Sequence, residues 1–219
     1  MRGKFITFEG GEGAGKSTQA SALAKRLQAL GHRVVVSREP GGSAGAEAIR
    51  HVLLSGAAKP LGPHAEAILF AAARADHLRQ TIGPALERGD WVISDRFADS
   101  TRIYQGVLGN VEARMIVRLE KLTVGELGPD LTVILDIPPE EGLARAAKRR
   151  GGATVDRFEG EAFDFHKKPR EAYLELAERE PQRCVVINAG ADPATVAEFV
   201  WAAVNARLNP AAPPMEAAS

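Results

Sequence analysis

Residues Gly10-Gly11-Glu12-Gly13-Ala14-Gly15-Lys16-Ser17-Thr18 carry the clearest chemistry in this chain. They fit G-x-x-x-x-G-K-[ST], the spacing of a P-loop that cradles nucleotide phosphates. Glycine reaches backbone angles closed to other residues, so successive N–H groups can converge on one anion. A helix starting at the end of the loop adds the positive end of its dipole. Lys16 would then reach the β- and γ-phosphates, and the Ser17 hydroxyl would sit on a magnesium ion. The plain alternative, a glycine-rich turn that binds nothing, is disfavoured by the pattern on either side.

Further clusters follow apolar runs: Arg38-Glu39-Pro40-Gly41-Gly42, Asp95-Arg96 and Asp136. The guanidinium fork matches phosphate, so Arg38 and Arg96 would hold a second phosphate beyond the one on the P-loop. That points to a phosphate acceptor rather than to water. Asp95 and Asp136 both stand where P-loop enzymes place an acid near the magnesium, and position alone does not decide between them. Arg145, Arg149, Arg150 and Arg157 form a charged stretch whose bland reading is a solvated face.

These clusters need elements to position them. Lys4-Phe5-Ile6-Thr7-Phe8, rich in β-branched and aromatic residues, predicts a strand before the loop. Beyond the loop, Ala20, Leu23, Ala24, Leu27 and Leu30 recur at helical spacing and stop at Gly31. Val34–Val36, Trp91–Ser94, Leu131–Leu135 and Cys184–Ile187 are apolar runs of the kind found in strands covered on both faces. Helical patterns cover 44–54, 64–88 with a kink expected at Gly83-Pro84, 111–122, 139–150 and 163–179. A last helix opens at Asp192-Pro193, a cap followed by a first-turn proline, and runs to Leu208. Strands alternating with helices predict an α/β fold, a five-stranded parallel sheet with helices on both faces. Ligands of such sheets collect at the carboxyl ends of the strands, where the clusters fall. No linker divides the chain, so residues 1–208 read as one domain and the tail 209–219, with three prolines, as disordered.

At 219 residues the chain can bury a substantial core, and its 45% hydrophobic and 26% charged residues are ordinary for a globular protein. The 28 basic and 28 acidic residues cancel, so no global field draws it to nucleic acid or membrane and any positive site is local. The one cysteine, Cys184, excludes an internal disulfide and is expected to be a buried strand residue. No apolar run approaches about 18 residues and no signal-peptide pattern opens the chain, so a cytoplasmic protein is expected.

The R-E-P-G-G loop, Asp95-Arg96-Phe97 with Ser100 and Tyr104-Gln105-Gly106, and Pro129-Asp130-Leu131-Thr132 together resemble the thymidylate kinase family. The likeness runs from about Phe5 to Leu208 in consistent order and spacing, and the R-E-P-G-G loop is its most specific piece. The resemblance implies a P-loop nucleoside monophosphate kinase fold with a mobile lid over about residues 145–160. It implies ATP-dependent phosphorylation of dTMP to dTDP, a step of dTTP biosynthesis, with ATP and Mg²⁺ as cofactors. It implies a homodimer, whose interface the apolar helices near 66–82 and 111–122 could supply, and neither nucleic acid nor membrane as partner.

Carried over by residue, the resemblance assigns Gly10, Gly11, Glu12, Gly13, Ala14, Gly15, Lys16, Ser17 and Thr18, with Arg145, to ATP, and Ser17 and Asp95 to the metal. Arg38 and Arg96 match arginines that hold the acceptor phosphate. Glu12 matches an acid that binds the acceptor 3′-hydroxyl. Phe70 and Arg74 match residues that stack on thymine and bond its exocyclic oxygen, and their i, i+4 spacing independently sets ring and guanidinium on one helix face. Tyr104 matches a tyrosine that crowds the 2′ position of the sugar. Pro40, Gly41, Ser100, Thr101 and Gln105 complete the substrate-binding set, with Thr101 at a base-contacting position. Phosphoryl transfer needs cations around the moving group, and Ala14 supplies none where some relatives have arginine. The lid is therefore expected to bring the catalytic arginine, Arg150 first and Arg149 second, to join Lys16 and Arg96. Gly151–Val155 is slightly longer than usual for the family, and Asn188 replaces an aspartate found in many relatives.

The expected chemistry is in-line transfer without covalent intermediate or general base, since the acceptor phosphate is already a competent anion. Kinases of other small phosphorylated acceptors are the nearest rivals, and Phe70, Arg74 and Tyr104 argue against a purine or a ribose. A nucleotide-dependent switch of the GTPase kind would want an N-K-x-D motif, which the chain lacks. A nucleic-acid-remodelling ATPase would want a basic stripe.

Overall fold

Phe5–Gly10 forms β1, buried along its whole length. In this computed structural model, which describes residues 2–150 and 163–210 and only the backbone of Arg150 and of 163–166, β1 is the centre of the sheet. Val34–Arg38 (β2), Trp91–Asp95 (β3), Leu131–Asp136 (β4) and Cys184–Asn188 (β5) join it, all parallel, in the order β2-β3-β1-β4-β5. Arg157, Gly151–Val155, the charged stretch 156–159 and the tail from 211 lie outside the described residues, as does the side chain of Arg150.

Every strand runs one or two residues beyond its apolar run, taking in Glu9-Gly10, Ser37-Arg38, Asp95, Asp136 and Asn188. The ladder continues there because backbone pairing does not require apolar side chains. Hydrophobicity stops earlier because these ends carry polar groups.

Both faces of the sheet are covered, as continuous apolar runs require. Ile6, Phe8, Ile93, Val133 and Leu135 pack under Lys16–Ala29 (α1) and Pro193–Leu208 (α9). Alternate residues face the other way. Phe5 and Val92 meet Leu78, Ile82 and Leu86, and Ile134 meets Tyr173 and Leu176 of α8, Phe163–Arg179. Each such fully buried side chain contributes about 1.5–3 kcal/mol relative to exposure. The cap expected for α9 is present, with Asp192 Oδ1 accepting from the N–H groups of Ala194 and Thr195. Cys184 is buried in β5 as expected.

Ala44–Leu54 forms α2. The pattern over 64–88 resolves into Gly62–His77 (α3), a π-helical turn Leu78–Ile82, and Gly83–Glu87 (α4). Gly83 N–H reaches back five residues to Leu78 O, so the break falls in the turn before Gly83-Pro84 rather than at it. One segment has no counterpart in the periodicity: Ala98–Thr101 (α5) continues into a π-helical Arg102–Leu108. Its buried residues include Asp99, Thr101 and Gln105, so apolar spacing could not reveal it. Ala113–Thr123 (α6) and Pro139–Arg150 (α7) follow. Among the described residues no helix is long and apolar enough to cross a membrane.

The polar segment after β3 is tied to the sheet by charge. Arg183 donates to both oxygens of the buried Asp99, at 2.7 and 2.9 Å, and to Thr132 Oγ1 at 2.9 Å. Arg102 adds bonds to Glu120 and Glu180. Asp99→Ala is expected to lower the unfolding free energy by about 2–3 kcal/mol, since partial exposure of Arg183 keeps the loss below that of a fully buried pair. Urea denaturation of the variant beside the parent measures it.

Candidate active site

The strand register brings the polar ends together. Arg38 lies opposite Asp95, Asp95 opposite Phe8, and Asp136 opposite Asn188. The P-loop turns on Gly13 and Gly15, with φ of 68° and 90°. Gly13 also lacks room for a side chain, since a Cβ there would stand 1.8 Å from Gly142 O of α7. The loop is therefore clamped against the helix that leads into the predicted lid.

Lys16 opens α1 and folds back, its Nζ donating to Gly11 O at 2.7 Å and Gly10 O at 3.3 Å. Burial foremost, then the nearby Arg96, lowers its pKa to about 8. The Ser17 hydroxyl donates to Asp95 Oδ2. Asp136, the other acid left open by the sequence, is gripped by Arg170 of α8 through two bonds of 2.7 and 3.0 Å. Asp95 is thus the acid on the P-loop hydroxyl, and Asp136 anchors α8.

Arg96 adopts φ 72°, uncommon outside glycine and costly by about 1–3 kcal/mol. A residue missed by the sequence reading holds it there. Glu9, fully buried in β1, accepts from Phe97 N at 2.8 Å, Ser100 N at 3.3 Å, Ser100 Oγ at 2.7 Å and Tyr173 Oη at 2.8 Å. Burial, with Asp99 nearby, pushes Glu9 up to about 7, against the pull of Arg96 and the donors. Arg96 reaches Ser100 Oγ at 3.1 Å, and its guanidinium lies 5.3 Å from the Tyr104 ring. An acid directly after the apolar run Phe5–Phe8 was the available signal for Glu9. Tyr173 gave none.

One cavity of about 380 Å³ joins the P-loop to the second arginine cluster. Glu12, Gly13, Gly15, Lys16, Ser17 and Thr18 line one end. Arg38, Pro40, Phe70, Arg74, Arg96, Ser100, Thr101, Tyr104 and Gln105 line the rest, so the predicted substrate set except Gly41 converges there. Asp95 and Arg149 line it too. Arg74 is buried, donating to Glu39 Oε2 at 2.8 Å and Thr101 Oγ1 at 3.0 Å. Arg38 is more than half exposed and pairs with Glu47 at 3.0 Å. Arg50 of α2, also missed, lines the cavity and donates to Pro40 O.

Arg149 donates to Glu12 Oε1 at 3.0 Å. Burial opposes it, yet Lys16, Arg96 and Arg149 together hold the Glu12 carboxyl below the ordinary carboxylate range. Gly10, Gly11, Ala14, Gly41 and Arg145 are not among the lining residues. Gly10 and Gly11 hold Lys16 through their carbonyls, and Ala14 packs in the core under α1. Arg145 donates to Ala189 O and Gly190 O, in the loop where Asn188 Oδ1 accepts from Gly190 N.

A P-loop at the carboxyl edge of a 2-3-1-4-5 parallel sheet, opening into a cavity with its own arginines, defines a P-loop kinase of a small phosphorylated acceptor. The sequence model of the family described as thymidylate kinase matches residues 8–200. Thymidylate kinase of Bradyrhizobium diazoefficiens is 60% identical over 209 residues, covering 95% of this chain and 92% of that one. Its counterpart in Nitrobacter winogradskyi is 61% identical over 207 residues, covering 94% and 90%. The crystal structure of thymidylate kinase from Ehrlichia chaffeensis superposes with a TM-score of 0.74 at 31% identity, covering 94% of this chain and 99% of that one. The chain belongs to the thymidylate kinase family and is a nucleoside monophosphate kinase, a transferase.

The lowered pKa of Lys16 has a measurable consequence. Anionic phosphates favour its ammonium form, so at mildly alkaline pH nucleotide binding should take up a proton. ATP affinity is expected to fall as pH rises through about 8, by up to about tenfold per unit. Calorimetry near pH 8.5 in buffers of different ionisation enthalpy should show net proton uptake, and flat affinity without uptake would contradict the assignment.

Proposed function

We propose that this chain transfers the γ-phosphoryl group of ATP directly to the phosphate of dTMP, giving dTDP and ADP, with the residues below in the stated roles. The observation that carries the proposal is the single cavity shared by the P-loop, the Arg96 guanidinium and the Phe70/Arg74 pair. P-loop amides and Lys16 hold the donor phosphates, with Arg145 beside the loop after β5 on the adenine side. Arg38, Arg50 and Arg96 receive the acceptor phosphate, and Arg96 is held in place by the Glu9 network. Glu12 takes the sugar 3′-hydroxyl, Tyr104 crowds its 2′ position, and Phe70 stacks on the base whose carbonyl Arg74 reads. Pro40 and Gly41 shape the acceptor loop, while Ser100, Thr101 and Gln105 set the wall behind the base and phosphate.

The Ser17 hydroxyl and the Asp95 carboxylate are hard oxygen donors brought together at the P-loop, which fits Mg²⁺. When bound, that ion neutralises charge on the donor phosphate oxygens. An acceptor phosphate oxygen forms the new P–O bond to the γ-phosphorus as the bond to the bridging β–γ oxygen breaks. No proton need move. The enzyme contributes alignment and fixed positive charge from Lys16, Arg96 and a lid arginine. Arg149 donates to Glu12 beside the P-loop, which Ala14 leaves without a cation, and that contact supports Arg149 as the lid arginine of this proposal; the side chain of Arg150, the first candidate by sequence, lies outside the described residues.

The chain also forms a homodimer in this proposal. Ile68 of α3, Val107 and the α6 residues Val117 and Leu122 are exposed, on elements that adjoin through Ala67, Val111 and Ile116. A second copy of the chain covers them. Light scattering at micromolar concentration should give twice the 23.3 kDa chain mass, falling to the single mass in Leu122→Glu. A monomeric parent overturns the dimer.

Arg96→Ala and Arg149→Ala should each cut dTMP turnover by about 10²–10³-fold while leaving ATP binding largely intact. Unchanged turnover in either removes that residue from the mechanism. ADP release against a panel of monophosphates should favour dTMP, and a preference for AMP, GMP or CMP would overturn the acceptor assignment.

A further inference from the structure

Among the cavity arginines, Arg74 is the one most enclosed by protein, at 3% exposure. Its partner Glu39 is buried as well, and the second carboxylate oxygen of Glu39 meets Nδ1 of His77 at 3.1 Å. His77 is fully buried, and its Nε2 lies 2.7 Å from Ser37 Oγ. The chain Ser37–His77–Glu39–Arg74–Thr101 therefore runs from β2 through α3 to α5. Glu39 and Arg74 line the cavity, whereas Ser37 and His77 do not.

The directions of these bonds follow from the chemistry of the groups. A carboxylate only accepts, so Nδ1 of the imidazole carries a proton and donates it to Glu39. Nε2, on the far side of the ring, pairs with the Ser37 hydroxyl. With one oxygen held by His77 and the other by Arg74 Nε, the carboxylate cannot turn without leaving a buried donor unpaired. The fold reserves room for this chain. A Cβ on Gly42 would stand 2.3 Å from both His77 Nε2 and Ser37 Oγ.

We propose that His77 is a positioning residue for base selection: through Glu39 it fixes the plane of the Arg74 guanidinium. Arg74 carries only donors, so held in that plane it accepts a base edge presenting a carbonyl oxygen and rejects one presenting an amino group. The thymine and uracil edge is the accepted class and the cytosine edge the rejected one. Arg96 and Lys16 are held by other partners, Glu9 with Ser100 and the P-loop carbonyls, so loosening the His77 chain affects choice of base before phosphoryl transfer. The inference rests on the cavity holding a pyrimidine deoxynucleotide.

The full-length enzyme is compared with His77→Asn, which can still donate near the Nδ1 position, and His77→Gln, which keeps a polar group near Nε2 but loses that donor. Steady-state kinetics with dTMP and dCMP, the KM for ATP and the melting temperature are measured for each. His77→Gln should lose about tenfold in the dTMP-over-dCMP ratio of kcat/KM through a raised KM for dTMP, with kcat and the KM for ATP within about threefold. His77→Asn should retain most of the ratio. Equal ratios in both variants and the parent, with only melting temperatures lowered, would reduce His77 to a structural role and overturn the proposal, as would equal losses in the two. Should both variants fail to fold, Ser37→Ala decides: a reduced ratio at unchanged kcat supports the proposal and an unchanged ratio overturns it. A parent enzyme with no preference for dTMP would instead overturn the acceptor assignment itself.

Discussion

A carboxylate sealed inside the central strand, Glu9, is the interaction on which the site depends. Burying a charge is expensive unless hydrogen bonds and an opposite charge surround it. Here Phe97 N, Ser100 N, Ser100 Oγ and Tyr173 Oη all donate to it, and Arg96 stands close by. These donors come from the turn after β3 and from α8, so satisfying Glu9 brings both onto the end of β1. The strained backbone of Arg96 is one result: the turn is fixed on either side of it, by Phe8 O at its own N–H and by Glu9 at the next.

Acids likewise hold other cations around the cavity. Glu39 holds Arg74, Glu12 holds Arg149 and Glu47 holds Arg38. This explains how a chain of zero net charge keeps several guanidinium groups within reach of two phosphorylated ligands. Such preorganisation spares the reaction the cost of turning dipoles and charges as the phosphoryl group moves. The pairs differ in strength of confinement. Arg74 and Glu39 are buried together, whereas Arg38 and Arg149 are mostly exposed.

Much of the architecture was legible because the apolar runs of a doubly covered parallel sheet are continuous. All five strands and α1, α2, α8 and α9 follow from periodicity and punctuation. The segment Ala98–Leu108 was not legible, because Asp99, Thr101 and Gln105 are buried in it beside only Ala98 and Ile103, and its π-helical part breaks the usual spacing. The same limit applies to the site. The P-loop, the R-E-P-G-G loop and Asp95-Arg96 are local strings that a sequence displays. Arg50, Glu39 and His77 act through partners 10 to 38 positions away, and Tyr173 meets Glu9 across 164.

The sequence by itself determined the P-loop, the parallel sheet and the presence of arginines at further strand ends. Each depends on backbone preference or short spacing, which neighbouring residues settle among themselves. Only the tertiary structure decided that Asp95 rather than Asp136 meets Ser17, that Arg149 lies against Glu12, and that Glu9 and His77 stand behind the cations that line the cavity. Those outcomes rest on which strand ends lie side by side and on which buried donors must find acceptors, conditions set only once the whole sheet and its covering helices are in place.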